Sequence, residues 1–300
     1  MFRNNASGAA YREPSAVANP GRMCYHLSIF QQQGGPGHAP GQRFGTMQQR
    51  TAGNENTGLL KVLALAFMFA DHAGKMLLPD VPEMRILGRL ALPLYAWCLV
   101  VGFCYTRSLA KYLIRLAKIG LVCQYPYMVA LGHQTPIAGP MGVRWYQPNI
   151  FLTLTLGLCA LWALREKRWL SQYWGPLLAM TFALLLKADY GWRGVLLILC
   201  FYACRNSQPA LAAMFVSFCL YWGSTSGEIR TFFGHALALK GPLADLIRPW
   251  LRLQALAVLS LPLILWRSRS RLRLPLWLGY SLYPAHLLLL LALEKLAGKL

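Results

Sequence analysis

Charge is scarce in this sequence, and acidic charge is the scarcest. Only 13% of the 300 residues are charged, and 10 Asp and Glu stand against 30 Lys and Arg, giving a formal net charge of +20. Hydrophobic residues make up 56% of the chain, and the mean hydropathy is +0.38. Because roughly half of a globular protein's residues must face water, this composition excludes intrinsic disorder, a collagen-like fibre and an ordinary cytosolic enzyme for most of the chain. It favours a polytopic membrane protein.

Motifs of soluble metal, phosphate and hydrolase chemistry are missing as well. The eight cysteines contain no Cys-x-x-Cys pair, and most of them lie in apolar runs, as small buried side chains do. The chain also lacks a glycine-rich phosphate loop, a His-x-x-x-His pair and a Gly-x-Ser-x-Gly elbow. The sequence therefore predicts no bound metal.

The excess of basic residues does not indicate nucleic-acid binding. Proteins that bind nucleic acid reach a high pI by adding charge to a soluble surface, whereas charge is sparse here. The densest basic run, residues 267–273, lies directly beside an apolar run, where arginines fix the topology of a span or contact anionic lipid. The predicted partner of this run is the lipid bilayer, not nucleic acid.

The first 56 residues differ in composition from the rest of the chain. They are rich in Gly, Asn, Gln, Ser, Pro and Ala, which predicts a disordered polar tail on the cytoplasmic side. They lack the basic start, continuous apolar stretch and cleavage site of a secretory signal. We therefore expect two parts, a tail over 1–56 and a transmembrane domain over 57–300.

Apolar runs close to the ~20 residues that a helix needs to cross a bilayer recur throughout the second part. No run shows the strict alternation of an outer-membrane strand, so the predicted fold is an all-α, polytopic helical bundle of about nine spans. The predicted spans are Leu59–Leu78, Ile86–Thr106, Tyr112–Leu131, Asn149–Leu164, Gln172–Leu186, Gly194–Cys204, Ala210–Trp222, Leu253–Trp266 and Leu274–Leu293.

Basic clusters predict the orientation of these spans, because cytoplasmic loops carry excess Lys and Arg. A cluster follows every even-numbered span, so the N-terminus is predicted to be cytoplasmic. Near the inner end of the third span, Arg115 and Lys118 have two interpretations. They snorkel to the membrane surface, or they bind the phosphates of a cytoplasmic cofactor.

The first predicted span carries the densest set of ionisable residues, each of which is costly in hydrocarbon. At ~100° per residue, Lys61 and His72 fall on one stripe that Lys75 flanks, which predicts a polar seam facing the bundle interior. Asp71 and His72 are neighbours and do not face each other on a helix. Asp71 is therefore expected to pair with Lys75 or with an arginine of another helix. His72 is either a reactive group or part of a hydrogen bond between helices.

Four other polar groups are predicted at the same depth, toward the outer face. They are Gly88-Arg89, Asn149-Ile150, the Asp189–Gly194 turn and Tyr283-Pro284-Ala285-His286. Each alone is compatible with close packing or a helix kink. Together they offer a proton-accepting histidine, carboxylates and arginines, which suit general-base acyl transfer in a water-restricted cavity. The candidate catalytic residues are His72, Asp71, Arg89 and His286, and the candidate substrate-binding residues are Asn149, Asp189, Tyr190 and Arg193.

Taken in order, these motifs resemble the TraX family of bacterial conjugal-transfer membrane proteins, which includes TrbP-like members. The resemblance covers about residues 57 to 290 and also includes Gly102-Phe103, Tyr112-Leu113 and Thr153-Leu154. It implies an inner-membrane protein similar to one that acetylates the N-terminal amine of a conjugative pilus subunit. A more distant similarity is to the multi-spanning acyltransferases that move acetyl groups from acetyl-CoA to envelope glycans. The family's Asp-His pair falls on Asp71-His72, its Gly-Arg on Gly88-Arg89 and its late histidine on His286.

The resemblance and the topology together predict an acetyltransferase that takes acetyl-CoA from the cytoplasm. His72 would deprotonate the acceptor, and Arg89 or Arg193 would stabilise the oxyanion. The CoA phosphates would lie near Arg107, Lys111 and Arg115. Two alternatives stay open: an O-acetyltransferase for an envelope glycan, and a non-enzymatic transporter or assembly factor with a proton relay.

Overall fold

The computed structural model describes residues 51–132, 137–138, 144–237, 241–268, 272 and 275–298. The predicted tail up to residue 50 lies outside these residues, as do Arg269, Arg271 and Arg273 of the basic run. Residues 51–56, which the sequence analysis assigns to the tail, belong to the folded part. Thr51 and Asn54 are buried.

The described chain is mostly helical, as predicted. The helices are α1 (Thr57–Met76), α2 (Pro82–Gly88), α3 (Ala91–Tyr105), α4 (Leu109–Ala130), α5 (Ile150–Glu166), α6 (Trp169–Leu185), α7 (Gly191–Cys204), α8 (Gln208–Gly223), α9 (Pro242–Ile247), α10 (Leu261–Leu265) and α11 (Leu276–Leu296). Two 3₁₀ helices cover Arg248–Leu251 and Ala255–Ser260. The strands of the described residues form two antiparallel pairs, β1 (Ile137–Ala138) with β2 (Arg144–Trp145) and β3 (Thr231–Phe232) with β4 (His235–Ala236).

Several helices begin where a side chain can accept the free amides of the first turn. Asn56 accepts from the amide of Leu59 at the start of α1, and Ser108, Asn149 and Ser207 do the same for α4, α5 and α8. Two predicted spans are not single α-helices. The second is broken between α2 and α3 at Arg89 and Leu90, and the eighth is a 3₁₀ helix followed by α10.

Two helical segments of the described chain are long and apolar enough to cross a bilayer. They are Thr57–Met76 and Pro82–Tyr105, the latter comprising α2 and α3. Gly191–Cys204 and Ala255–Leu265 are apolar but shorter. The fold is therefore that of a helical bundle with two segments of membrane-spanning length.

The connections between helices lie at two opposite ends of the bundle. At one end, here called the tail end, backbone amides of residues 51–56 donate to the carbonyls of Arg205 and Ile264, each at 2.6 Å. Tyr105, at the end of α3, returns to the same end and donates through its hydroxyl to Glu55 Oε1 at 2.6 Å. The opposite end, here called the site end, holds the C-terminal ends of α1, α4 and α8 and the N-terminal ends of α5 and α7.

Apolar side chains form both the interior and much of the exterior of the bundle. α3 lies in the interior, where Trp97 is fully buried and its indole N–H donates to the carbonyl of Asn54 at 2.7 Å. In contrast, α6 exposes large apolar side chains along its whole length, and α4 and α11 also expose several. On α6 they are Trp169, Leu170, Tyr173, Trp174, Leu177, Leu178, Phe182, Leu184 and Leu185. A continuous exposed apolar face of this length marks a surface that contacts lipid or another protein.

Candidate active site

A cavity of about 470 Å³ opens at the site end of the bundle. It is lined by the last turns of α1, by α2, and by the turn that leads into α7. Of the predicted catalytic and substrate-binding residues, Asp71, His72, Arg89, Asp189, Tyr190 and Arg193 line this cavity. The structure thus brings together residues that are more than a hundred positions apart in the sequence.

The centre of the site is a pair of buried histidines. His72 Nδ1 and His286 Nε2 are 2.8 Å apart, and each residue is 7% exposed. The ring planes differ by only 5° and the ring centroids lie 5.1 Å apart, so the rings meet edge to edge in one plane. This is the geometry of an in-plane hydrogen bond, with one nitrogen donating and the other accepting.

The backbone around His286 decides which nitrogen donates. His286 Nδ1 lies 3.1 Å from the carbonyl oxygen of Leu282. A carbonyl only accepts, so Nδ1 of neutral His286 carries the proton and its Nε2 has the lone pair. His72 must therefore donate from Nδ1, which leaves its Nε2 with a lone pair. Since His72 lines the cavity, the pair presents one unprotonated ring nitrogen to a bound molecule.

Asp71 pairs with arginines of another helix, one of the two arrangements expected from the sequence. Arg89 donates to Asp71 Oδ1 at 2.5 Å, and Arg85 donates to Asp71 Oδ2 at 3.2 Å. Arg89 Nε is also occupied, because it donates to the carbonyl of Arg85 at 3.2 Å. Gly88 allows this contact, because a Cβ there would lie only 2.2 Å from Asp71 Oδ1. The Gly88-Arg89 pair thus fixes a largely buried carboxylate–guanidinium contact.

Asp189 lies on the opposite wall of the cavity, in the turn between α6 and α7. Its carboxylate receives a hydrogen bond from buried Tyr127 of α4. Asp189 is exposed to the cavity that it lines. Loss of hydration among the surrounding protein atoms raises the pKa of Asp189 to about 6, with Asp71 adding to the rise while Arg89 and Lys75 oppose it. Asp189 therefore titrates close to neutral pH.

The Asp189–Gly194 turn needs its glycines. Gly191 has a φ of +54°, a conformation that favours glycine, and it starts α7. A Cβ at Gly194 would lie 2.6 Å from the side chain of Thr153 on α5. The turn therefore brings α7 against α5 and directs residues 189–193 to the cavity.

Arg193 differs from the other arginines of the site. Its Nε is buried and has no hydrogen-bond partner in the described part of the chain, and its guanidinium lies 5.3 Å from the ring of Trp192. Arg85 and Arg89, in contrast, are both engaged by Asp71. Arg193 is thus a cation at the cavity with unused donor capacity.

Asn149 is not brought into the cavity. Its side-chain oxygen accepts from the amide of Phe151 at 3.0 Å, and its side-chain amide donates to the carbonyl of Gly120 at 2.8 Å. Its backbone amide donates to Gln124 at 3.1 Å, and the residue is 2% exposed. Asn149 therefore caps α5 and attaches it to α4.

The three predicted cofactor-binding residues, Arg107, Lys111 and Arg115, lie near the tail end and are all exposed. Arg115 also lines a second cavity of about 310 Å³ and lies over the ring of Tyr112 at 5.6 Å. Lys61 also lines the second cavity, whose walls are otherwise mostly apolar and aromatic. The second cavity thus combines two cations with largely apolar walls.

Several residues of the site were not predicted. Arg85 lies one helical turn before Arg89, a spacing that marks the same face and could have revealed it. Tyr127, Trp222 and Gln254 line the cavity or contact its acids, but nothing in their local sequence distinguishes them from ordinary core and loop residues. Within the described residues, no group of three or more His, Cys, Asp or Glu side chains could hold a metal ion.

The fold and the cavity define a helical bundle of predominantly apolar composition, with a buried histidine pair beside a carboxylate–arginine cluster. The family model described as TraX protein matches residues 56–294, which include every residue of the site. The chain therefore belongs to the TraX family, as the sequence motifs indicated.

A curated relative matches part of the chain. It is described as probable fimbrial assembly protein FimC, serogroup H1, from Dichelobacter nodosus. The two are 36% identical over 110 residues, which is 34% of this chain and 43% of the relative. The chain thus matches less than half the length of this relative. No solved structure matches the chain.

Proposed function

We propose that this protein is a multi-pass inner-membrane acyltransferase that acetylates the N-terminal amine of a pilus subunit with acetyl-CoA as donor. The observation that carries the proposal is the histidine pair, whose hydrogen bonds leave a lone pair on His72 Nε2 at the cavity. Membership of the TraX family and the similarity to a relative named as a fimbrial assembly protein support a role in pilus assembly or conjugation.

In the proposed reaction, His72 Nε2 takes a proton from the acceptor amine. The amine nitrogen attacks the thioester carbonyl, the carbon–sulfur bond of the tetrahedral intermediate breaks, and the departing thiolate receives the proton from His72. His286 holds His72 in the required tautomer and supports the imidazolium that forms transiently. Such a relay depends on the hydrogen bond between the two rings and on the carbonyl of Leu282.

The geometry favours Arg193 over Arg89 for stabilising the oxyanion. Arg89 is already committed to Asp71 and to the carbonyl of Arg85. Arg193 has an unused buried donor beside the cavity. A donor that is fixed before the reaction begins stabilises a developing negative charge most effectively. In this proposal Asp71 and Arg89 shape the electrostatic field of the cavity without touching the reacting atoms.

The donor would enter from the tail end. The basic rim of the second cavity, with Arg115 and Lys61, would bind the phosphates, assisted by Arg107 and Lys111 on the adjacent surface. The apolar interior of that cavity would hold the extended arm that carries the thioester. In this assignment the donor binds in the second cavity and the acceptor binds in the site-end cavity.

The proposal includes about nine spans and a cytoplasmic N-terminus. The connections at the tail end carry basic clusters around Arg107, Arg165–Arg168 and Arg205, whereas Asp71, Asp189 and most other acids lie at the site end. The positive-inside rule then places the tail end in the cytoplasm and the site end outside. The exposed apolar faces of α4, α6 and α11 support contact with lipid.

The experiment compares the intact mass of the acceptor in cells that carry wild type or His72→Ala. We expect one acetyl group on the pilus subunit with wild type and none with the variant. His235→Ala is the matched control, because His235 is an exposed histidine of the β4 strand and lies outside the cavity. Acetylation of a glycan instead of the pilin would support the acyl-transfer reaction but identify a glycan as the acceptor. An unchanged acetyl group with His72→Ala would refute the role of His72.

A further inference from the structure

The two cavities meet at one side chain. Tyr283 of α11 lines the site-end cavity and also the tail-end cavity. Leu65 and His72 show the same division on α1, since Leu65 lines the second cavity and His72, two turns later, lines the first. Tyr283 therefore stands between the compartment that we assign to the donor and the compartment that holds the histidine pair.

Aromatic contacts hold Tyr283 in this position. Its ring meets the ring of Phe151 edge to face with centroids 4.9 Å apart and the ring of His286 with centroids 5.2 Å apart. Tyr283 is only 3% exposed. Such aromatic pairs add a modest attraction beyond their buried area, so the closed position is favoured by an amount that a bound ligand can offset.

The helix is locally weakened at this point. Pro284 follows Tyr283 inside α11, and Gly279 lies one turn before it. Proline has no amide hydrogen, so the carbonyl of Tyr280 loses its partner within the helix, and proline within a helix is a common site of bending. A bend of α11 at Pro284 would move the ring of Tyr283.

We propose that Tyr283 is the partition residue between the two cavities and that the acyl end of the donor reaches His72 by displacing its ring. This inference rests on the proposed function for the identity of the donor, an anionic thioester with an extended arm. The existence of the partition rests on geometry alone. In the closed position Tyr283 keeps water and protons from passing between the two ends of the bundle.

The test measures from which side a reporter cysteine in the second cavity can be modified. The reporter is Leu65→Cys, a partly exposed position that lines only the second cavity. A charged, membrane-impermeant thiol reagent is applied to spheroplasts and, separately, to inside-out vesicles, and modification is read from the peptide that contains residue 65. With Tyr283 intact, we expect modification from one side only.

In Tyr283→Ala, the same reporter should be modified from both sides. The rate of modification from the newly accessible side should approach the rate from the side that is accessible with Tyr283 intact. Tyr280→Ala is the matched control, because Tyr280 lies on the same helix and lines only the second cavity. It should leave the reporter one-sided, as should Tyr283→Phe, which keeps the ring. Retained modification from the original side shows that each variant is folded.

One-sided modification in Tyr283→Ala would overturn the partition, and so would two-sided modification with Tyr283 intact. Neither readout requires acyl transfer or a particular membrane orientation. Failure of the partition is therefore distinguishable from failure of the proposed enzyme activity.

Discussion

At the scale of single residues, the chemistry of the site follows from a few hydrogen bonds. The carbonyl of Leu282 fixes the proton on His286 Nδ1, and this in turn fixes the lone pair on His72 Nε2. Neither histidine has an ion pair with a carboxylate among the described residues. In the proposed reaction, a histidine therefore occupies the orienting position that a carboxylate fills in a Ser-His-Asp triad.

His286 is predicted to be a positioning residue. His286→Ala should lower the rate of acyl transfer by about 10-fold to 100-fold, less than the roughly 10²- to 10⁴-fold expected for His72→Ala, because His72 remains but loses its fixed tautomer. His286→Gln should recover part of the loss, since its side-chain oxygen can accept from His72 Nδ1. Rates of transfer from a labelled donor in isolated membranes check this order. Equal losses in His286→Gln and His286→Ala would contradict the positioning role.

The raised pKa of Asp189 predicts that the stability of the folded protein depends on pH. Its pKa is raised from 3.8 to about 6, so the folded state binds the proton more tightly than the unfolded state. The stabilising contribution of this carboxyl is therefore complete below about pH 4 and is lost as the pH rises through about 6. Asp189→Asn, which stays neutral, should show a smaller fall in melting temperature between these pH values. Identical melting profiles of wild type and variant in detergent would count against the raised pKa.

At the scale of helices, packing depends on close approach of α1 and α2. Gly88 is the contact point, because a Cβ there would lie 2.2 Å from Asp71 Oδ1 and 2.3 Å from Asp71 Cβ. Gly74 makes a similar contact from the other helix, where a Cβ would lie 2.6 Å from the Cβ of Met84. Small residues at such positions let two helices approach closely enough for buried polar groups to pair.

Gly88→Ala should destabilise the protein by about 1–3 kcal/mol, because α2 must move away from α1 to accept the methyl group. The Asp71–Arg89 pair would lengthen as a result. Gly227→Ala is the matched control, since a Cβ there meets no atom within 4 Å. Thermal unfolding of the two purified variants measures the difference. Equal melting temperatures would show that the contact at Gly88 adapts without cost.

The elements show how far the sequence alone could predict the structure. Hydrophobic runs located the helices, and the neighbouring positions of Asp71 and His72 correctly excluded a pair between them, leaving an arginine as one expected partner. The capping role of Asn149 was not predicted, because a polar residue at the start of an apolar run is equally compatible with a cap and a ligand contact. Tyr127 was not predicted, because its role depends on the distant Asp189 turn.

At the scale of the whole molecule, basic and acidic residues concentrate at opposite ends of the bundle, which predicts the orientation of the protein in the membrane. The connection after α7, at Arg205, lies at the tail end with residues 51–56, whereas the connection after α8 lies at the site end. The positive-inside rule predicts that these two connections lie on opposite sides of the membrane.

Fusion reporters check this orientation. An alkaline phosphatase fused after Asn206 should be inactive, because it remains in the cytoplasm, whereas one fused after Gly227 should be active outside. A cytoplasmic reporter at the same two positions should give the reverse pattern. Activity of the phosphatase at Asn206 would invert the proposed topology.

The central claim is that His72 is the base of an acyl transfer that takes place in the site-end cavity. The most direct measurement uses the purified protein in lipid nanodiscs with acetyl-CoA labelled on the acetyl group and with an N-terminal pilin peptide. We expect wild type and His235→Ala each to produce released CoA and acetylated peptide in equal amounts. With His72→Ala, neither product should rise above background. Transfer at the wild-type rate in His72→Ala, or no transfer by wild type to either the peptide or a glycan acceptor, would contradict the central claim.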